Sequence, residues 1–113
     1  MKRGEVWTVA GGPDYAGKPT PAMILQDDAF DAARSITTCP FTTYTVDAPL
    51  MRLPIEPSAQ NGLRVSSQLM VDKITTVPRT RLATRVGRLS NEDMVRVNRA
   101  VLVFLGFAGP GAK

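Results

Sequence analysis

The sequence predicts a mainly β fold with a single C-terminal helix. Short β-branched runs are separated by Gly, Pro and Asp, and a threonine-rich stretch is interrupted by Pro40. In the last segment, apolar residues recur every three or four positions behind a capping serine. Several short strands followed by one terminal helix give a small, strongly bent sheet or barrel that the helix closes. At 113 residues the chain forms one domain, placed over residues 1–108, with a flexible tail at 109–113.

The elements follow in order. Glu5 to Ala10 reads as a first strand, and the Gly/Pro-dense segment from Gly11 to Pro19 as a long loop suited to binding. Pro21 to Gln26 is a short continuous apolar run, the mark of a central strand buried on both faces. Asp28 and Asp31 have the spacing of a capping box, so one helical turn is expected over 29–33. Ser35 to Thr43 begins as a strand, but Pro40 cannot donate to a ladder. The strand is therefore expected to end there or to run along an edge. Leu50 to Glu56 alternates, with Met51, Leu53 and Ile55 on one face and Pro54 marking an edge. Asn61-Gly62 signals a turn. Ser67 to Val77 is the longest strand candidate, bent near Asp72-Lys73. After a turn at 78–81, Ala83 to Leu89 gives the last strand. Ser90 then caps a helix whose buried stripe is Met94, Val97, Val101, Phe104 and Ala108, ended by Gly106 and Gly109-Pro110.

Composition narrows the chemistry. There is no histidine, which removes Ser-His-Asp and Cys-His nucleophile systems, a two-histidine ribonuclease mechanism and ordinary zinc sites. A lone cysteine, Cys39, excludes an internal disulfide and reads as a buried structural thiol. Asp27, Asp28 and Asp31 could approach Mg²⁺, but turn and cap duties suit them better. No metal or other cofactor is expected. No apolar run nears the roughly 20 residues of a membrane helix, and no signal peptide opens the chain, so a cytoplasmic protein with no membrane partner is expected. The net charge is +4: residues 1–60 contribute 5 cations against 7 anions, residues 61–113 contribute 9 against 3. Ten of the 14 cations are arginine. That asymmetry favours a polyanion or an acidic protein segment as partner, and a merely solvated basic face is the plain alternative.

One reaction suits this inventory: cleavage of RNA by its own 2′-hydroxyl. The substrate supplies the nucleophile, and hydroxyl and cationic donors stabilise the pentavalent phosphorane. Thr42 and Thr43, at the end of the Ser35–Thr43 stretch, are hydroxyls delivered by a rigid element, although threonine also simply favours strands.

Taken together, these segments resemble the MazF/PemK family, the toxins of type II toxin–antitoxin modules. The resemblance runs from Lys2 to about Phe107 and rests on Arg3-Gly-Glu-Val-Trp7, Pro19-Thr-Pro-Ala-Met-Ile-Leu-Gln-Asp-Asp28 and Cys39-Pro-Phe-Thr-Thr43. It continues in Leu63-Arg-Val-Ser-Ser67, Val71-Asp-Lys-Ile-Thr-Thr-Val77 and Arg79-Thr-Arg-Leu82. It implies an SH3-like barrel with a C-terminal helix, and a homodimer forming an RNA groove. The implied activity is metal-independent endoribonuclease cleavage of single-stranded RNA, which inhibits translation and growth. The implied inhibitor is an antitoxin with an acidic, disordered C-terminal segment. The family's catalytic threonine falls on Thr42. Its arginine falls on Thr20, a departure that predicts attenuated cleavage unless Lys18 supplies the cation. Thr43, Tyr15, Tyr44, Arg64, Lys73, Arg79 and Arg81 are the candidates for binding RNA or antitoxin. Trp7 and Phe41 are assigned to the core. Two alternatives stay open: a non-enzymatic CcdB-like toxin that binds DNA gyrase, and a plain SH3-like binding module.

Overall fold

In the computed structural model, residues 1–11 and 19–109 are described. Seven strands form one antiparallel sheet: β1 (Glu5–Val9), β2 (Thr20–Ile24), β3 (Ser35–Thr42), β4 (Arg52–Ile55), β5 (Ser67–Met70), β6 (Thr75–Pro78) and β7 (Leu82–Arg88), followed by helix α1 (Asn91–Phe104). Their spatial order is β4-β5-β3-β2-β1-β7, with β6 also paired to β3. This is the expected mainly β fold with one terminal helix, an SH3-like barrel left open between β4 and β7.

Side chains alternate across the sheet, and each face has its own core. On the helix side Val6, Met23, Cys39, Phe41, Ile55, Leu69 and Val71 pack with Val97 of α1. On the other face Val9, Ala22, Ile24, Ile36, Val77 and Leu82 form a smaller cluster, against which Trp7 packs. The apolar β2 run is central and buried on both sides because both faces are filled.

Pro40 corrects the sequence reading: β3 neither stops there nor lies at an edge. Thr37 turns both backbone groups toward β2, accepting from the Leu25 N–H and donating to Gln26 Oε1. Backbone groups alternate, so the Pro40 nitrogen faces the opposite side. There β3 changes partner: β6 pairs with residues 35–38 and β5 with residues 41–42. The missing N–H falls at this handover, where no ladder bond is required.

The 67–77 segment is likewise two strands rather than one bent strand. A 3₁₀ turn at Val71–Lys73 separates β5 from β6, because Val71 is drawn into the core while Asp72 pairs with Arg52. The turn after β2 is a 3₁₀ turn at Asp28–Phe30, one residue earlier than expected, and Asp27 rather than Asp28 caps it by accepting from the Ala29 N–H. Ser90 accepts from the Asp93 N–H as helix N-cap. Gly106, at φ +86°, ends the helix in a Schellman arrangement: its N–H reaches the Val103 carbonyl and the Phe107 N–H reaches that of Leu102. Val97 is fully buried, but Phe104, placed on the buried stripe by its spacing, is 41% exposed at the last turn.

Candidate active groove

The register of β2 against β3 (Ala22 opposite Pro40, Met23 opposite Cys39, Ile24 opposite Thr38) extends to place Thr20 opposite Thr42. Directly opposed residues share a face, with Cβ atoms about 5 Å apart. That face is the one whose lower half closes into the Ala22/Ile24/Ile36 cluster. Its upper half stays open as a groove of about 680 Å³ lined by Thr20, Pro40, Phe41, Thr42, Met70, Lys73 and Thr75. A smaller depression of about 210 Å³, lined by Thr20, Pro21, Phe41, Thr42, Thr43 and Ser67, shares Thr20, Phe41 and Thr42 with it. The two depressions adjoin at Thr42, an arrangement that could follow an extended chain.

Thr42 Oγ1 accepts a hydrogen bond from the Tyr44 backbone N–H at 3.1 Å. One lone pair is thereby occupied, and the hydroxyl proton has no acceptor among the described residues, which leaves it available to a ligand. A hydroxyl that accepts one bond is polarised into a better donor. Lys73 is the one charged side chain among the described residues lining either depression. No carboxylate or imidazole lines the groove among those residues. Asp27, Asp28 and Asp31 are engaged elsewhere: Asp27 caps its turn, Asp28 accepts from the Arg3 N–H, and Asp31 pairs with Lys2 at 2.8 Å.

Lys73 stands on a fixed turn. The Val71 N–H donates to the Met51 carbonyl. Arg52 Nε and Nη2 hold the two oxygens of Asp72 at 2.8 and 3.2 Å. Hydrogen bonding to Arg52 is the main cause that holds the Asp72 carboxyl below its ordinary value of 3.8. A group with a depressed folded pKa contributes stability above its unfolded pKa, and that contribution is lost as pH falls through the folded value. Asp72→Asn is therefore expected to cost about 1.5–3 kcal/mol at neutral pH, the scale of a hydrogen bond to a charged group. The gap to wild type should shrink below about pH 4. Urea unfolding of both proteins across pH 2–7 measures this; a gap independent of pH would contradict it.

The remaining candidate residues lie in different places. Thr43 lines the channel beyond Thr42. Tyr44 is 76% exposed beside it but is not among the lining residues. Arg64 is exposed on the loop before β5 and is not among the lining residues. Arg79 is partly buried and donates to the Asp31 carbonyl, and Arg81 donates to the Ala10 carbonyl. Both guanidiniums tie loops to the barrel. Lys18 and Tyr15 lie outside the described residues. Phe41, 5% exposed, belongs to the helix-side core and also lines the groove, and Trp7 packs against the second cluster while donating to Glu5 Oε1. The sequence signal misread was Pro40: it marks not a strand end or an edge but the strand handover, beside which the groove opens.

Cys39 lies under the groove on the helix-side face, and burial pushes its thiol up to about 12. At pH 8 roughly one molecule in 10⁴ would carry thiolate. Native protein is expected to resist a thiol-disulfide reagent over minutes and to react fully in guanidinium. Rapid native labelling would show the thiol accessible.

Comparison with known proteins adds three findings. The model of one family, described as the PemK-like, MazF-like toxin of type II toxin–antitoxin systems, matches residues 2–105. A protein from Mycolicibacterium smegmatis named probable endoribonuclease MazF is 57% identical over 109 residues, spanning 96% of this chain and 100% of that protein. Among solved structures, an endoribonuclease in complex with its cognate antitoxin from a mycobacterial species superposes with TM-score 0.80 at 22% identity, covering 97% of this chain and 99% of that one. A MazE–MazF structure from Deinococcus radiodurans reaches 0.74 at 18% identity, covering 96% and 98%. At these identities the two structures speak for the fold.

Proposed function

The chain belongs to the PemK-like, MazF-like toxin family of type II toxin–antitoxin systems, and from that premise we propose that it is an endoribonuclease toxin whose cutting site is the Thr20–Thr42 groove. The observation that carries this reading is the pairing of Thr42, its hydroxyl proton free to donate, with Thr20 across two adjacent strands in an open channel. The substrate is single-stranded RNA, which can lie extended along the channel. Its own 2′-oxygen attacks phosphorus, and Thr42 donates to a non-bridging oxygen as charge builds there. The chemistry needs no metal, because the nucleophile belongs to the substrate and the groove supplies the donors. Cleavage of cellular RNA then blocks translation and growth.

A homodimer completes the assembly, supported by the exposed apolar side chains that α1 and its end present: Val95, Leu102, Leu105 and Phe107. A cognate antitoxin with an acidic, disordered C-terminal segment neutralises the toxin, its charge matched to the basic second half of the chain. No helix among the described residues is long and apolar enough to cross a membrane, and the site of action is the cytoplasm, where the RNA is. The family match and the 57% identical relative named as a probable endoribonuclease favour RNA cutting over gyrase binding.

The test is incubation of the purified protein with end-labelled single-stranded RNA in EDTA. The expected products carry 2′,3′-cyclic phosphate ends. Intact RNA under these conditions, or cutting that requires Mg²⁺, would overturn the reading.

A further inference from the structure

Resting on that reading, we propose that Lys73 is a catalytic residue: its ammonium group sits on the scissile phosphate and supplies the positive charge that the Thr20/Thr42 pair lacks. The need for such a charge follows from the reaction. As the 2′-oxygen bonds to phosphorus and the P–O5′ bond breaks, an extra negative charge gathers on the non-bridging oxygens. The 2′ proton leaves to water and the 5′-oxygen takes one from water, so no co-reactant is consumed. Thr42, Thr20 and Thr75 offer hydroxyls to those oxygens but no charge, and a neutral donor is the weaker stabiliser of a dianion.

Lys73 answers the need on four counts. It lines the same groove as Thr20 and Thr42 and is the one charged side chain there among the described residues. The register of β5 on β3 (Phe41 opposite Leu69, Thr42 opposite Gln68) brings Met70 opposite Pro40, so the turn that follows Met70 rises beside the open half of the groove. Its neighbouring anion is already taken. Asp72, the carboxylate next in the chain, is held through both oxygens by Arg52, which leaves the ammonium group uncommitted to any hydrogen bond or ion pair among the described residues. The flanking backbone is rigid as well, because Val71 is fully buried and Ile74 packs against the same core. A cation on a fixed turn with a free headgroup meets what electrostatic preorganisation asks of a phosphate-binding residue. Arg79 and Arg81, the neighbouring cations in sequence, are bonded to the carbonyls of Asp31 and Ala10.

The test is single-turnover cleavage of a short RNA by wild type, Lys73→Met, Lys73→Arg and the double variant Lys73→Met/Thr20→Arg, each checked for native thermal unfolding. Lys73→Met is expected to cut about 10²–10³-fold more slowly, and Lys73→Arg to retain most of the rate. Thr20→Arg, which restores a charge from the opposite wall, is expected to return at least about tenfold of what Lys73→Met removes. Retention of the wild-type rate by a folded Lys73→Met protein overturns the proposal while leaving the endoribonuclease reading intact. Loss in Lys73→Met that neither arginine relieves overturns the charge argument and leaves only a steric role. Failure of the wild type itself to cut RNA overturns both, and is told apart by the wild-type lane alone.

Discussion

Thr42→Ala is expected to slow RNA cleavage by about 10²–10³-fold, the usual cost of removing one positioned donor to a developing oxyanion. The effect should fall on the chemical step rather than on folding. Thr42 is partly buried at the end of β3, and what the substitution removes from the native fold is one hydrogen bond, that from the Tyr44 N–H, worth about 1 kcal/mol. Thr42→Ser keeps the hydroxyl and should keep most of the activity. Single-turnover rates with saturating RNA, set beside unfolding curves, separate the two contributions. If Thr42→Ala cuts as fast as wild type, the groove has been assigned the wrong donor. With Thr42 and Lys73 on the same phosphate, as proposed, the loss in a Thr42→Ala/Lys73→Met variant should be smaller than the product of the single losses.

Gly62→Ala is expected to destabilise the protein by about 3 kcal/mol or more, enough to remove a large share of the stability of a small domain. Gly62 sits at φ +72°, where an L-residue costs about 1–2 kcal/mol. A Cβ there would also lie 2.3 Å from the Val86 carbonyl oxygen, a backbone atom that cannot swing aside. The turn around it is otherwise well satisfied. Asn61 is 2% exposed, and its side chain accepts from the Ser58 and Leu63 N–H groups and donates to the Glu56 carbonyl. That network presses the turn onto β7, where Gly87 leaves room for it: a Cβ on Gly87 would lie 2.4 Å from the Gln60 carbonyl oxygen. Thermal or urea unfolding measures the loss. A shift of less than about 1 kcal/mol would mean the turn can move off β7, and the surrounding hydrogen bonds would then be weaker than their geometry implies.

The fold class was legible in the chain because its signals are local. Alternation in Leu50–Glu56, the apolar run Pro21–Gln26, the Asn61-Gly62 turn and the Ser90 cap each depend on residues a few positions apart, and each is realised close to its expected bounds. The candidate threonines were legible too, Thr42 from the end of its strand and Thr20 as a departure from a family pattern. Tertiary structure alone decided the rest. Pro40 could run through the middle of the sheet because two different strands meet opposite it, a fact about residues 68–78 that no reading of 35–43 contains. The 67–77 run broke in two because Val71 found the core and Asp72 found Arg52, partners separated from them by up to 65 and 20 residues respectively. The basic second half divided in the same way. Arg79 and Arg81 were drawn onto carbonyls of distant loops, while Lys73 was carried to the groove with its neighbouring carboxylate already occupied. Charge and residue type can be counted along the chain. Which charge stays free to meet a phosphate depends on long-range pairing, because an ionic side chain goes to whichever complementary group the folded backbone brings within reach.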